Sequence, residues 1–159
     1  MSNLIVDSNL DKSLTTTSKV KLLMFTVGKL NLALPILQVQ KIVKQNEVHG
    51  SGLSHVNLAH LPEQEIAIVD LHQKLFKVPL PQSKGRGYFI ITKHIGQDIL
   101  GILVAQAPNL IDVPQEQIRV LPNSYRHADT LEIASHVAVI PQADRTTQTI
   151  FILDLEHLF

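Results

Sequence analysis

The chain has 159 residues, long enough for one compact core or two small fused ones. An apolar fraction of 45% against 18% charged residues excludes a disordered chain, which needs low hydrophobicity and high net charge. Lys and Arg number 14, as do Asp and Glu, and with zero net charge and no Lys/Arg cluster denser than Lys41–Lys44 to displace phosphate counterions, nucleic acid is not an expected partner.

Residues 1–18 show no sustained apolar period and read as a flexible N-terminal tail. They lack the basic start and apolar stretch of a secretory signal, and no apolar run approaches the roughly 18 residues of a membrane span. A soluble, cytoplasmic protein with no direct membrane insertion is expected. From Val20 the texture changes to strand formers. Val20–Val27, the turn Gly28–Lys29 and the alternating Leu30, Leu32 and Leu34 predict a β-hairpin. Pro35 interrupts it, and Ile36, Val39 and Val43 are spaced as one short helical turn running into a strand.

Gly50–Ser51–Gly52 reads as a loop, His55–Leu61 as a strand and Glu65–Val69 as a buried strand. Asp70 is placed to cap a helical stretch Leu71–Phe76. Pro79, Pro81, Gly85 and Gly87 make 77–87 the best linker candidate. Beyond it, Tyr88–Thr92 and Ile99–Val104 predict a second hairpin around Gly96. Leu110, Ile111 and Val113 continue after Pro108, and Pro114–Ile118 forms a short turn. His136–Ile140 and Thr149–Leu153 read as a final strand pair, and Asp154 caps the closing Leu155–Phe159.

Two pairs of segments repeat. Ile66–Leu71 and Ile150–Leu155 share a buried strand, an Asp cap and a short amphipathic turn, and the Gly28 hairpin is mirrored by the Gly96 hairpin. About five short strands per unit point to an all-β chain of two small barrels or sandwiches, one over about 19–84 and one over about 85–159.

Chemistry is sparse. The absence of Cys removes disulfides, thiol nucleophiles and thiolate metal sites. His55 and His60 are an odd number of positions apart, so an alternating strand puts them on opposite faces, and no His-rich helix accompanies them. His136 and His157 read as scattered histidines. Gly50–Gly52 and Gly85–Gly87 are too short to cradle phosphate. Asp70 and Asp154 each have a structural role as caps, and a solvated loop accounts for His127 and Asp129. No catalytic residue, metal site or cofactor is therefore expected. A ligand-binding barrel with a hollow interior stands as the alternative to a protein-binding surface.

The segments Leu23–Gly28, Leu34–Ile42, Ile66–Leu71, Gly101–Val104, Val113–Ile118 and Ile133–Phe159 resemble, in order and spacing, the CheW-like adaptor domain of bacterial chemotaxis. The resemblance implies two five-stranded SH3-like β-barrels with short helical turns over residues 19–159. It implies a non-catalytic adaptor between a CheA-like histidine kinase and the cytoplasmic tip of a methyl-accepting chemoreceptor, in receptor arrays serving chemotaxis, phototaxis or type IV pilus motility. It also implies partner contacts at Val39, Lys41, Ile42, His60, Pro62, Glu63 and Ile66. Lys41 stands where the family pattern has Glu, and Pro62 and Glu63 stand where it has Arg and Gly.

Overall fold

The computed structural model describes residues 18–46, 48–53, 55–62, 64–81, 86–93, 99–122 and 132–158. Residues 1–17 of the tail expected over 1–18, the turn at Gly96, Glu63, His127 and Asp129 lie outside them.

The hairpin expected at the start forms from β1 (Lys19–Val27) and β2 (Leu30–Pro35), paired from Val27↔Leu30 to Leu22↔Pro35. Its turn needs Gly28, whose φ of +60° is left-handed backbone and whose missing Cβ would lie 3.0 Å from Phe76 Cε2. A three-residue 3-10 turn, Ile36–Gln38, leads to β3 (Val39–Lys44), β4 (Val48–Leu53), β5 (Val56–Leu61) and β6 (Gln64–Val69). Helix α1 (Leu71–Phe76) precedes β7 (Tyr88–Thr92), β8 (Leu100–Val104) and β9 (Asn109–Pro114). A second 3-10 turn, Gln115–Gln117, enters β10 (Ile118–Val120), and β11 (Ala134–Pro141), β12 (Thr147–Leu153) and a last 3-10 turn at Leu155–His157 follow. The backbone of Gly50–Gly52 lies in β4 rather than in a loop, because β5 offers it a partner; the pairing is irregular between Gly50 and Leu53.

The strands form two six-stranded sheets, ordered β10-β11-β12-β2-β1-β9 and β3-β7-β8-β6-β5-β4. The outermost strands of each sheet are consecutive in the chain: β9 bends through a 3-10 turn into β10, and β3 runs on towards β4. Each sheet is thus a five-stranded barrel whose bent strand is counted twice. Asn46 Nδ2 donates to the His60 carbonyl at 2.9 Å across one closure, and Gln115 N–H to the Ser18 carbonyl at 2.8 Å across the other.

The sheets do not divide the chain into sequential halves near residue 84. One is built from residues 39–104, with the expected linker inside it between α1 and β7; the other joins β1–β2 to β9–β12. Both repeated segments are real, but the units are permuted. In one barrel β6 runs parallel to β8 of the hairpin that follows it, with Ile68↔Gly101. In the other, β12 runs parallel to β2 of the hairpin at the opposite end of the chain, with Ile152↔Ala33.

Three cores result. Leu22, Val113, Ala138 and Ile150 fill one barrel; Ile66, Ile68, Phe89, Ile91 and Leu103 fill the other. Between the sheets lies a third, with Leu23, Phe25, Leu34, Val69, Ile90, Ile102 and Leu153. Successive residues of β1, β7 and β8 alternate between a barrel interior and this shared layer, which is why those strands are almost continuously apolar. With both interiors filled by side chains, the hollow-barrel alternative loses its basis.

Asp70 fastens α1, the one α-helix among the described residues, from both ends. Its carboxylate accepts Gln73 N–H at the helix start and Leu80 N–H beyond the helix end, each at 3.0 Å, and its own N–H donates to the His55 carbonyl. Asp154 is the counterpart in the other barrel, donating to the Ile133 carbonyl and accepting Glu156 N–H at 3.2 Å. Only Asp70 is buried, at 6% exposure. Asp70→Ala leaves a buried N–H without an acceptor as well as removing a cap, so it costs about 2–4 kcal/mol. Asp154→Ala costs about 1 kcal/mol. Urea unfolding of the two variants measures the difference.

Candidate partner-docking surface

Hydrophobic side chains that the three cores leave outside mark where a partner can bind. Ile42 of β3 pairs with Ile90, and Ile90 with Ile102, so the row that begins in the shared core ends on Ile42 at 41% exposure. Leu110 of β9 ends the corresponding row Leu34–Leu23–Leu110 in the other sheet, at 56% exposure. The two residues hold equivalent positions in the permuted repeat. Leu37, in the 3-10 turn that delivers the chain from one sheet to the other, is 78% exposed, while Ile36 and Val39 beside it pack on the shared core. Scattered apolar side chains on a surface need no explanation, but these lie on the rims of one apolar layer. Among the described residues β3 pairs only with β7 and β9 only with β1, so each rim also offers an open strand edge.

The residues expected at the partner surface divide. Val39 is half-buried, and Lys41 and Ile42 are exposed on β3. His60 and Pro62 are exposed at the β5–β6 corner. There His60 Nε2 meets Glu65 Oε2 at 3.1 Å across the strand pair His60↔Glu65. Glu63 is outside the described residues. Ile66 is a correction: it is 2% exposed inside a barrel core, because the alternation of β6 turns it inward with Ile68, and it cannot touch a partner. The link between the two groups is Asn46, which follows β3 and holds the His60 carbonyl.

Leu37 and Leu110 were not singled out in the sequence. Each sits in an aliphatic run whose neighbours are buried, and only the register tells which member of the run faces outward. A further exposed apolar residue, Val120 at 68%, borders a cleft with Leu121, Pro122, Val137 and Phe151 on the outside of β10–β12.

Among the described residues no group of three His, Asp or Glu side chains is arranged to hold a metal ion. His157 Nδ1 lies 2.8 Å from the Asp154 carboxylate, beside the last 3-10 turn. His55 is held below its ordinary pKa by burial first, then by Lys74 and Lys77, against the opposing pull of Asp70.

Residues 21–159 match the family model of the CheW-like domain. The chain belongs to the CheW-like family. Its fold is similar to the crystal structure of the scaffolding protein TtCheW from Thermoanaerobacter tengcongensis, with a TM-score of 0.73 at 17% sequence identity over 92% of this chain and 91% of that one. None of the curated proteins matches the sequence significantly. Membership of the CheW-like family assigns the chain to the scaffolds and coupling adaptors of chemotaxis signal transduction. No helix among the described residues is long and apolar enough to cross a membrane.

If the rims are surface and not core, Leu37→Ser and Leu110→Ser change folding stability by no more than about 0.5 kcal/mol. Ile66→Ser, which puts a hydroxyl and a void into a filled barrel, costs about 3–5 kcal/mol. Chemical denaturation of the three variants separates the two groups.

Proposed function

We propose that this CheW-like chain is a non-catalytic coupling adaptor that joins a CheA-like histidine kinase to the cytoplasmic tip of a methyl-accepting chemoreceptor. It acts in cytoplasmic receptor arrays of a chemotaxis, phototaxis or type IV pilus pathway. The observation that carries this reading is the pair of aliphatic rims, Leu37 with Ile42 and Leu110, on a fold whose interior is otherwise filled. Binding at the rims works by covering apolar surface, at about 25 cal/mol per Å2 before the costs of association. Val39, Lys41 and Ile42 on β3 and His60, Pro62 and Glu63 at the neighbouring corner are the proposed contacts.

Charge at this surface sets partner choice. Lys41 reverses the sign of the family's Glu, so the cognate partner presents a carboxylate or at least no ammonium opposite it. At the corner the family's Arg is replaced by Pro62, and His60 is turned to Glu65. Coupling there rests on shape and on the β3 rim more than on a guanidinium fork.

Titration of the cognate kinase's regulatory domain into the folded protein tests the reading. Saturation is expected below tens of micromolar, about 6–7 kcal/mol of binding. Ile42→Asp weakens it at least tenfold with an unchanged circular dichroism spectrum. Absence of binding at that concentration overturns the kinase half of the proposal. For the receptor half, Pro62→Arg with Glu63→Gly restores the family pattern and strengthens binding of a receptor-tip fragment severalfold. An unaltered affinity means that this corner has taken another role.

A further inference from the structure

The end of α1 carries a second exposed surface, made of other residues than the rims and unlike them in chemistry. Phe76 and Val78 are 38% and 53% exposed, and Lys74 and Lys77 stand beside them in the chain. Four hydrogen bonds and one ring contact hold this short segment in one shape. Asp70 binds both Gln73 N–H and Leu80 N–H. Lys77 adopts left-handed backbone, φ 63°, and its N–H closes the helix on the Gln73 carbonyl at 2.9 Å. His72 Nδ1 donates to the Val78 carbonyl at 2.6 Å, and the His72 ring packs against Phe76 with centroids 4.9 Å apart. Phe76 also lies over the β1–β2 turn, where a Cβ on Gly28 would sit tightly at 3.0 Å from its ring, and Lys29 follows that glycine as an exposed residue.

Within this segment the exposed charges are of one sign. Asp70 is the only carboxylate between residues 70 and 81, and it is buried and occupied by two backbone N–H groups. Lys77 Nζ folds back onto the Lys74 carbonyl at 3.1 Å, which brings its ammonium over the helix end. Both ammonium groups are close enough to His55 to depress its protonation. The left-handed backbone of Lys77 is the αL ending common to helices, reached here without a glycine at a cost of about 1 kcal/mol.

We propose that this surface docks an acidic segment of a partner protein, which lays an aliphatic side chain across Phe76 and Val78 and sets carboxylates against Lys74 and Lys77. Charge complementarity selects the occupant. The chain as a whole is neutral, so the attraction is local to this segment. An anionic lipid surface would meet the same ammonium groups, but Phe76 lies against the Gly28 turn and does not project for insertion. The site is independent of the kinase and receptor contacts proposed above.

The test is a backbone NMR titration of the full chain with a synthetic peptide alternating leucine and glutamate, with phosphatidylglycerol vesicles as the second arm. The peptide is expected to shift the amides of Lys74, Phe76, Lys77, Val78 and Gly28, with affinity falling as salt rises. Lys74→Glu with Lys77→Glu lowers that affinity at least tenfold, whereas Lys74→Arg with Lys77→Arg retains it. Shifts confined to other surfaces, or none, overturn the proposal. So does binding to vesicles alone that is lost in the Glu double variant, which assigns the surface to lipid. Kinase titration of the Glu double variant stays unchanged if the two surfaces are separate, and a parallel loss overturns that independence.

Discussion

The parallel pairing of β2 with β12 is the constraint on which the rest of the structure depends. Ile150, Phe151 and Ile152 lie against Asn31, Leu32 and Ala33, so a strand from one end of the chain completes the sheet built by the other end. Parallel neighbours cannot be joined by a tight turn, and here the connection runs through the whole second barrel and then β9–β11. Neither barrel is therefore made by a contiguous half. The hairpin β1–β2 faces one barrel interior with Leu22 and Ala33 and the shared core with Leu23, Phe25, Leu32 and Leu34. Loss of that hairpin would open two cores together, which makes the two barrels one cooperative unit in spite of the repeat. Folding has to wait for this long-range closure, since its loop entropy is spent before the β2–β12 contacts form.

The same constraint decides where a partner can be met. A layer shared between two barrels has rims, and the strands on the rims, β3 and β9, each lie at one end of their sheet. Their aliphatic side chains continue the rows of the shared core and lie partly in water. An adaptor with filled barrels can communicate only through such surfaces. A partner seated on Ile42 or Leu110 also adjoins the layer that holds the barrels together, so binding and the internal packing share residues one step apart.

Much of this was legible because strands buried on both faces leave long aliphatic runs, and because caps have local signatures. Tyr88–Thr92 and Leu71–Phe76 occupy the spans their residues predicted, and Asp70 caps as its type and place require. The Asp-strand and hairpin repeats were visible as well. What they could not convey was permutation, since similarity between segments says nothing about which copy pairs with which. Sequential halves were the simplest assembly, and the β2–β12 pairing replaced them. Gly50 and Gly52 suggested a loop because glycine weakens a strand, yet backbone pairing with β5 overrode that local preference. Ile66 was misjudged, and Leu110 passed unremarked, for one reason. In an aliphatic run, inside and outside differ by a single position of register, and register is set by the partner strand.

The repeat is broken where it matters for recognition. Asp70 and Asp154 each cap the turn that follows their strand, and each donates its N–H to the residue just before the strand alongside. Their second carboxylate oxygens diverge. That of Asp70 reaches ten residues ahead to Leu80 and folds the segment after α1 back on itself, whereas that of Asp154 is taken by His157 within the same turn. One oxygen atom's choice of partner thus turns a symmetric cap into an asymmetric surface, with Phe76, Lys77 and Val78 presented on one barrel only. Two barrels with matching rims would offer two similar faces, but an adaptor between unlike partners needs faces that differ. The folded-back segment after α1 supplies such a difference without disturbing either core.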